Sequence, residues 1–183
     1  MDLAEIVKAL DLDAKLVLAR SAERCVPDRP GLYSIFIDDP DNLPSPFKES
    51  LSKWKTRMIY LGRASTSLQK RLVAEDLRHK KPSTFFRTIG AVLGYKPPAA
   101  SLKGKKNQNN YRFTPQDTRS MINWIDCHLS VRWVTLPRDE AERWEQSAIR
   151  AVRPLLNTSN NPDALPEVAQ LREQCRAIAR GSV

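Results

Sequence analysis

The chain has 183 residues, 41% of them hydrophobic, and a formal net charge of +9 at neutral pH. This composition is sufficient for one domain with a buried core, and the lack of eighteen consecutive apolar residues argues against a membrane-spanning helix. The first residues do not have the pattern of a signal peptide, and three widely separated cysteines favour reduced thiols, so we expect a cytoplasmic protein that does not act at a membrane.

The hydrophobic pattern and the turn residues predict an α/β (α+β) domain with helical extensions at both ends. We expect an N-terminal extension over residues 1–27, a core domain over residues 28–160 and a C-terminal extension over residues 161–183. The core has the order β-β-α-α-α-β-α, which predicts a small three-stranded antiparallel sheet flanked by helices. The N-terminal extension has helical spacing over Leu3–Ala19, with a break near residues 11–13. The predicted strands are Gly31–Ile37, Arg57–Arg63 and Val131–Leu136. The predicted helices run from a capping box at Thr66 to about His79 and over Ser83–Leu93, Pro115–His128, Arg138–Val152 and Leu165–Arg180.

Two long connections are predicted to lack regular structure. The link between the first two strands is rich in Asp and Pro. Residues 96–110 are polar, basic and interrupted by Pro and Gly, so we expect a mobile loop there.

Antiparallel pairing of the first two predicted strands would bring the start of the first strand beside the end of the second, and a tyrosine lies near each of these two ends. A register with Tyr33 opposite Tyr60 also sets Gly31 opposite Gly62. Both phenols then project from one face of the sheet, beside glycines that allow close approach. Tyrosines on neighbouring strands also occur as half-buried structural pairs, so this pattern alone fits a site or a structural role.

Five short motifs follow one another along the chain. They are Gly31-Leu32-Tyr33, Tyr60-Leu61-Gly62-Arg63, the helical segment Ser67–Leu72, the acidic residue Glu145, and Arg153–Asn157. Together they extend from about Pro30 to Asn157, and they resemble the motifs of the GIY-YIG nuclease superfamily. The resemblance implies a divalent-metal-dependent endonuclease that hydrolyses phosphodiester bonds in DNA.

The resemblance also assigns residues to an active site. The hydroxyls of Tyr33 and Tyr60 would face the site, and a water would be activated near one of them; the sequence leaves open which one. Arg71 would hold the scissile phosphate and offset charge in the transition state, with Arg63 as a second cation. Taken alone, Arg71 is an ordinary exposed helix arginine. Many family members carry a histidine one turn after this arginine, where the present chain has Glu75.

Glu145 corresponds to the only essential carboxylate of the family. The resemblance therefore implies that Glu145 holds one Mg²⁺ (or Mn²⁺), with water and substrate phosphate as further ligands. Without the resemblance, a glutamate at the margin of an apolar helix face would simply be solvated. Asn157, twelve residues later, is expected to fix the last loop through hydrogen bonds to the backbone.

The positive charge is concentrated in the middle of the chain. Residues 48–119 contain 17 Lys/Arg and 4 Asp/Glu, a net charge of +13, while the remainder carries −4. Such a segment is typical of a protein that binds a polyanion, so we expect a nucleic-acid partner, with DNA favoured over RNA. The candidate phosphate contacts outside the motifs are Arg87, Lys103, Lys105 and Lys106. The loop that carries the three lysines fits a simple linker equally well.

The main alternative is a nucleic-acid-binding module that keeps the GIY-YIG fold without cleaving its ligand. Glu75 in place of the histidine favours this alternative. His79 lies two turns after Arg71, and we expect it to cap the end of the helix. The joint presence of the tyrosines, arginine, glutamate and asparagine favours an enzyme.

Overall fold

The computed structural model describes residues 1–11 and 16–182 and contains one sheet with helices on both faces. The helices are α1 (Leu3–Leu10), α2 (Ala22–Cys25), α3 (Phe47–Trp54), α4 (Thr84–Val92), α5 (Pro115–His128), α6 (Arg138–Val152) and α7 (Pro166–Arg180). The strands are β1 (Val17–Leu18), β2 (Gly31–Ile37), β3 (Met58–Ala64) and β4 (Leu129–Thr135). A π-helix spans Gln69–Leu77, and 3₁₀-helices span Ala19–Ser21 and Pro40–Asn42. None of the helices in these ranges is long and apolar enough to cross a bilayer.

The sheet has the strand order β1-β4-β2-β3, and all neighbouring strands are antiparallel. This confirms the predicted fold class, with four strands instead of three. The additional strand pairs Val17 with Val131 and corrects the prediction that helical spacing continues to Ala19. It forms because it satisfies backbone groups at the outer edge of β4. The predicted break near residues 11–13 lies, apart from Asp11, outside the described residues.

The pairing of β2 with β3 differs by two residues from the predicted register. Tyr33 lies opposite Gly62 instead of Tyr60, and Gly31 lies opposite Ala64. The reason is steric, because the Tyr33 ring lies across Gly62, where an added Cβ would come within 2.4 Å of the ring atom Cζ. A shift of two residues leaves the side chains from Gly31 to Ile35 on their predicted faces, and the register changes again at Phe36, which lies opposite Met58. The rings of Tyr33 and Tyr60 therefore still project from one face, with centroids 6.4 Å apart.

The connection between β2 and β3 contains α3, where only a loop is predicted. The helix begins directly after Pro46, in a segment whose prolines suggest irregular structure. Phe47 and Leu51 lie one turn apart and are buried in the core. Burial of these two side chains stabilises a helix that the local composition does not indicate.

The helix predicted to begin with a capping box at Thr66 forms as the π-helix. Ser67 caps its first turn instead, since its Oγ accepts a hydrogen bond from the Lys70 backbone nitrogen at 3.0 Å. The side chain of Gln69, the other half of the predicted box, donates to a backbone oxygen of α2 at 2.8 Å. The π-helix is therefore tied to α2 at its start.

The central strand β2 is buried along its whole length, because helices cover both faces of the sheet. On one face, Leu32 packs with Ile6 of α1 and Ile149 of α6. On the other face, Tyr33 and Ile35 belong to the larger core cluster. The tyrosine at the start of β2 consequently stands on a strand that is held from both sides.

Residues 96–110 have no regular structure, as predicted, but they are fastened to α7. The Ala100 nitrogen donates to the Ile178 oxygen at 2.9 Å, and the Leu102 nitrogen donates to the Ala179 oxygen at 2.7 Å. These bonds join the segment to the last turn of α7, so it is anchored at this point.

Gly62→Ala tests the contact that sets the register. The new methyl group would overlap the Tyr33 ring, so the free energy of unfolding should fall by about 1 to 3 kcal/mol, measured by urea denaturation. In a Tyr33→Ala background the same change should cost less, because the ring has gone. An equal cost in both backgrounds would show that the ring does not impose this constraint.

Candidate active site

A cleft of about 650 Å³ opens where β3, the π-helix and α6 meet. Each element contributes a predicted site residue: Tyr60 from β3, Arg71 from the π-helix and Glu145 from α6. Arg63 at the end of β3 also lines this main cleft. The fold thus brings together four residues that are up to 85 positions apart in the sequence.

The two tyrosines are not equivalent in the structure. Tyr60 is 8% exposed and lines the main cleft, whereas Tyr33 is fully buried beneath it. The Tyr33 hydroxyl donates a hydrogen bond to the carboxylate of Asp76. Burial, followed by the negative charge of Asp76, raises the pKa of both phenols above the ordinary value, so both are protonated at neutral pH.

Asp76 is part of the site and was missed by sequence reasoning. Its carboxylate is fully buried, and Oδ1 lies 3.7 Å from Nη2 of Arg71. Burial raises the pKa of Asp76, while the charge of Arg71 and the hydrogen bond from Tyr33 oppose that rise. On an α-helix the residue five positions after Arg71 would face away from it. The π-helix, which closes hydrogen bonds between residues five apart, turns Asp76 towards Arg71.

Arg71 is held by two carboxylates. Its Nη1 lies 3.0 Å from Oε2 of Glu75, which occupies the position of the family histidine, and Nη2 faces Asp76. Burial acts to lower the pKa of Arg71, but the negative charge of Asp76 outweighs burial and raises it above the ordinary value. The guanidinium is therefore a permanent cation that is already oriented in the cleft.

Glu145 pairs with Arg63, whose Nε lies 3.1 Å from Oε2 of the glutamate, while Nη1 of Arg63 lies 3.1 Å from Glu142. The Glu145 side chain is 28% exposed, and its Oε1 has no hydrogen-bond or ion-pair partner among the described residues. A carboxylate oxygen that is open to a cleft suits a hard cation such as Mg²⁺. Within residues 1–11 and 16–182 no group of three or more His, Cys, Asp or Glu side chains has a metal-binding arrangement. An ion here would therefore need water and substrate phosphate as its other ligands.

Asn157 lies at the edge of the site and fixes the backbone of β3. Its Oδ1 accepts a hydrogen bond from the Leu61 nitrogen at 3.0 Å, and its Nδ2 donates to the Leu61 oxygen at 2.9 Å. Leu61 directly follows Tyr60, so this amide holds the strand segment that carries the cleft tyrosine. The side chain is 8% exposed, which protects these bonds from competition with water.

The four predicted phosphate contacts outside the motifs do not line the main cleft. Arg87 is 9% exposed on α4, and its Nη1 has no hydrogen-bond partner in the described part of the chain. The other three lie exposed on the segment that α7 anchors: Lys103, Lys105 and Lys106. The lysines that do line the cleft are Lys70, Lys80 and Lys81. The signal that could have found them is their proximity to Arg71 in the sequence.

His79 follows the end of the π-helix with a backbone φ of 51°, the left-handed conformation common after a helix C-terminus, but its side chain makes no capping hydrogen bond to the described residues. Its imidazole is buried and stacked on Phe86, with ring centroids 4.2 Å apart. Neither ring nitrogen has a hydrogen-bond partner within the described ranges. Burial, with the charges of Arg112 and Arg87, lowers the pKa of His79 to about 4.

The comparisons with known proteins agree with this geometry. A family model described as the GIY-YIG catalytic domain matches residues 31–177, about four fifths of the chain. The match includes every residue that lines the main cleft. Comparisons with curated proteins and with solved structures gave no match.

The buried imidazole should make stability depend on pH. In the unfolded chain His79 binds a proton below its ordinary pKa of about 6.5, while the folded protein resists protonation until about pH 4. The free energy of unfolding should therefore fall as the pH decreases through this window, with about 1 to 3 kcal/mol due to His79. His79→Phe keeps an aromatic ring against Phe86 and should remove that part of the fall, as measured by urea denaturation across the window. An identical pH profile for the variant would contradict the assignment.

Proposed function

Because the chain belongs to the GIY-YIG catalytic domain family, a family of nucleases, we propose that it is a divalent-metal-dependent endonuclease that hydrolyses phosphodiester bonds in DNA. The observation that carries this proposal is the meeting of Tyr60, Arg71 and Glu145, from three different elements, in one open cleft. A hydroxyl, a fixed cation and a carboxylate with a free oxygen are the groups that phosphodiester hydrolysis requires.

The charge of the main cleft favours a phosphate. Two carboxylates line it, Glu75 and Glu145, and five cations outnumber them: Arg63, Lys70, Arg71, Lys80 and Lys81. Two carboxylates restrict the position of Arg71, and one of them is the fully buried Asp76. We assign the scissile phosphate to Arg71, where a preoriented guanidinium offsets the negative charge of the transition state without reorganisation. The lysines would contact neighbouring phosphates.

Tyr60 is the tyrosine that would contact the attacking water. It lines the cleft next to Arg71 and Glu145, whereas the Tyr33 hydroxyl is engaged with Asp76 below the surface. Since its pKa is raised, the Tyr60 phenol is protonated at neutral pH and acts by orienting the water through a hydrogen bond. Tyr33 is assigned a positioning role, because it holds the carboxylate that in turn holds Arg71.

Glu145 is the residue that would hold the divalent cation, since it offers an unpartnered oxygen to the cleft. The ion would supply positive charge that offsets the charge on the phosphate oxygens and the leaving group. Arg63 neutralises the other oxygen of Glu145 and fixes the rotamer of the glutamate. The carboxylate is consequently oriented before any ion binds.

A non-catalytic nucleic-acid-binding module is the second candidate. The observation that favours it is the pair between Arg71 and Glu75, because a phosphate must share the guanidinium with this carboxylate. Incubation of the purified protein with supercoiled plasmid, branched DNA and RNA, with Mg²⁺, Mn²⁺ or EDTA, decides between the two. Metal-dependent cleavage of DNA supports the enzyme, and binding of all three without cleavage supports the module.

Glu145→Gln is the sharpest test of the metal ligand. The amide keeps the size of the side chain but removes the charge, so cleavage should fall about 100-fold or more while metal-free binding of DNA persists. Glu142→Gln is the matched control, because Glu142 also pairs with Arg63 but does not line the cleft, and it should keep near wild-type cleavage. Wild-type cleavage by a folded Glu145→Gln protein would rule out this ligand assignment.

The roles of the two tyrosines can be separated by removing each hydroxyl. Tyr60→Phe should lower the rate of cleavage about 100-fold or more with little change in stability. Tyr33→Phe should lower the free energy of unfolding by about 1 to 3 kcal/mol, because the buried Asp76 loses its donor, and should retain most of the cleavage rate. Single-turnover cleavage and urea denaturation of both variants give the comparison, and the reverse pattern would exchange the two roles.

A further inference from the structure

A second cleft of about 290 Å³ lies on the other side of Tyr60 and Glu145, which line both clefts. Its remaining wall includes Thr84 at the start of α4, Thr158 in the segment before α7, and Arg172 on α7. Arg172 lies in the part of the chain that sequence reasoning treated as a helical extension. The cleft is therefore continuous with the proposed active site, and Thr84, Thr158 and Arg172 give it a wall that lies outside the motifs.

Arg172 is half-buried, and no carboxylate of the described chain pairs with it. Its contact is a hydrogen bond from Nη1 to Oγ1 of Thr158 at 3.3 Å. The two following arginines of α7 differ in this respect, since Arg176 and Arg180 both pair with Glu173. Burial and the charge of Arg176 lower the pKa of Arg172, which indicates a guanidinium in an unfavourable electrostatic environment. A partly desolvated cation without a counter-charge is costly in a folded protein unless an anion binds to it.

Two further positive groups surround this position. Arg87 of α4 is 9% exposed, its Nη1 is buried without a hydrogen-bond partner among the described residues, and burial together with the charges of Arg172 and Arg176 lowers its pKa. Thr84 is the first residue of α4, so the N-terminal end of that helix, with its positive partial charge, meets the cleft. The three sources of positive potential come from two helices that pack against each other.

We propose that the second cleft binds a backbone phosphodiester of the substrate strand, adjacent to the scissile phosphate, with Arg172 as its direct ligand and Thr158 as a hydroxyl donor. This inference rests on the proposed nuclease function. A strand that occupies both clefts passes over Tyr60 and Glu145, so the scissile bond lies between phosphates held on either side. The preferred substrate is then a strand that continues past the cleaved bond in both directions. Arg87 reinforces the site through its charge.

The test replaces single phosphates of a DNA oligonucleotide by neutral methylphosphonates, one position at a time, and measures binding in EDTA by fluorescence anisotropy. For the wild type, at least one position other than the scissile one should show a loss of affinity of about tenfold, as expected for a charge-assisted contact. Arg172→Gln should lower the affinity for the unmodified strand by a similar factor and should abolish the effect at that position alone. The dependence of log affinity on log salt should become shallower by about 1 unit.

Arg150→Gln is the matched control, because Arg150 is exposed on α6 and its replacement removes the same charge. This variant should keep the complete wild-type pattern. If Arg172→Gln also keeps the pattern, the second cleft does not hold a phosphate. The same binding measurement is made with oligonucleotides that carry or lack a 5′-phosphate. If the effect of Arg172→Gln appears only with the terminal phosphate, the assignment to an internal phosphodiester is wrong.

These outcomes are separate from failure of the proposed function. A protein that binds the oligonucleotides but cleaves no substrate with any metal refutes the nuclease, while the methylphosphonate pattern still tests the cleft. A protein that cleaves, and whose pattern does not depend on Arg172, refutes the second phosphate site alone. A protein that binds no nucleic acid refutes both.

Discussion

The buried carboxylate of Asp76 is the constraint on which the site depends. Its charge has no access to water, so the fold must supply a hydrogen-bond donor and a counter-charge. Tyr33 provides the donor from β2, and Arg71 provides the counter-charge from the same helix. The Tyr33 hydroxyl reaches Asp76 only if its ring crosses β3. The ring crosses at Gly62, which has no side chain to obstruct it. The contact of two strands at Gly62, the π-helix and the direction of the Arg71 side chain thus all meet at one buried carboxylate.

A second set of bonds closes the exposed edge of the sheet. β3 is an edge strand, and such strands present unpaired backbone groups. The segment after α6 covers that edge, because the Leu156 nitrogen donates to the Ile59 oxygen at 2.8 Å and the Asn157 side chain bonds both backbone groups of Leu61. Tyr60 lies between these two contacts. The asparagine that ends the last motif is therefore part of the frame that positions the cleft tyrosine.

The sequence was most informative where a pattern is local. The bounds of α5 were predicted correctly from the helical spacing of its apolar residues, and β2 was predicted correctly because its apolar run is bounded by turn residues. The motifs identified the four residues that meet in the main cleft. The register was wrong because it depends on a ring crossing a glycine, which is a contact between residues 29 positions apart. Asp76 and Arg172 were missed because their roles depend on a π-helix and on the packing of α7, and neither leaves a periodic signal.

Under the proposed function, the arginines of the two clefts divide binding from catalysis. Arg71 and Arg63 already have carboxylate partners, so a phosphate that approaches them replaces part of an existing interaction and gains less free energy. The carboxylates also fix the orientation of these guanidinium groups before the substrate binds. Groups that are oriented in advance stabilise the transition state more than the ground state. Arg172 has no such partner and would gain the full interaction with an anion. Affinity would then come mainly from the unpaired cations around the site, and rate enhancement from the paired ones within it. This division requires carboxylates beside the catalytic arginines, which gives Glu75 a structural reason to stand where the family often has a histidine.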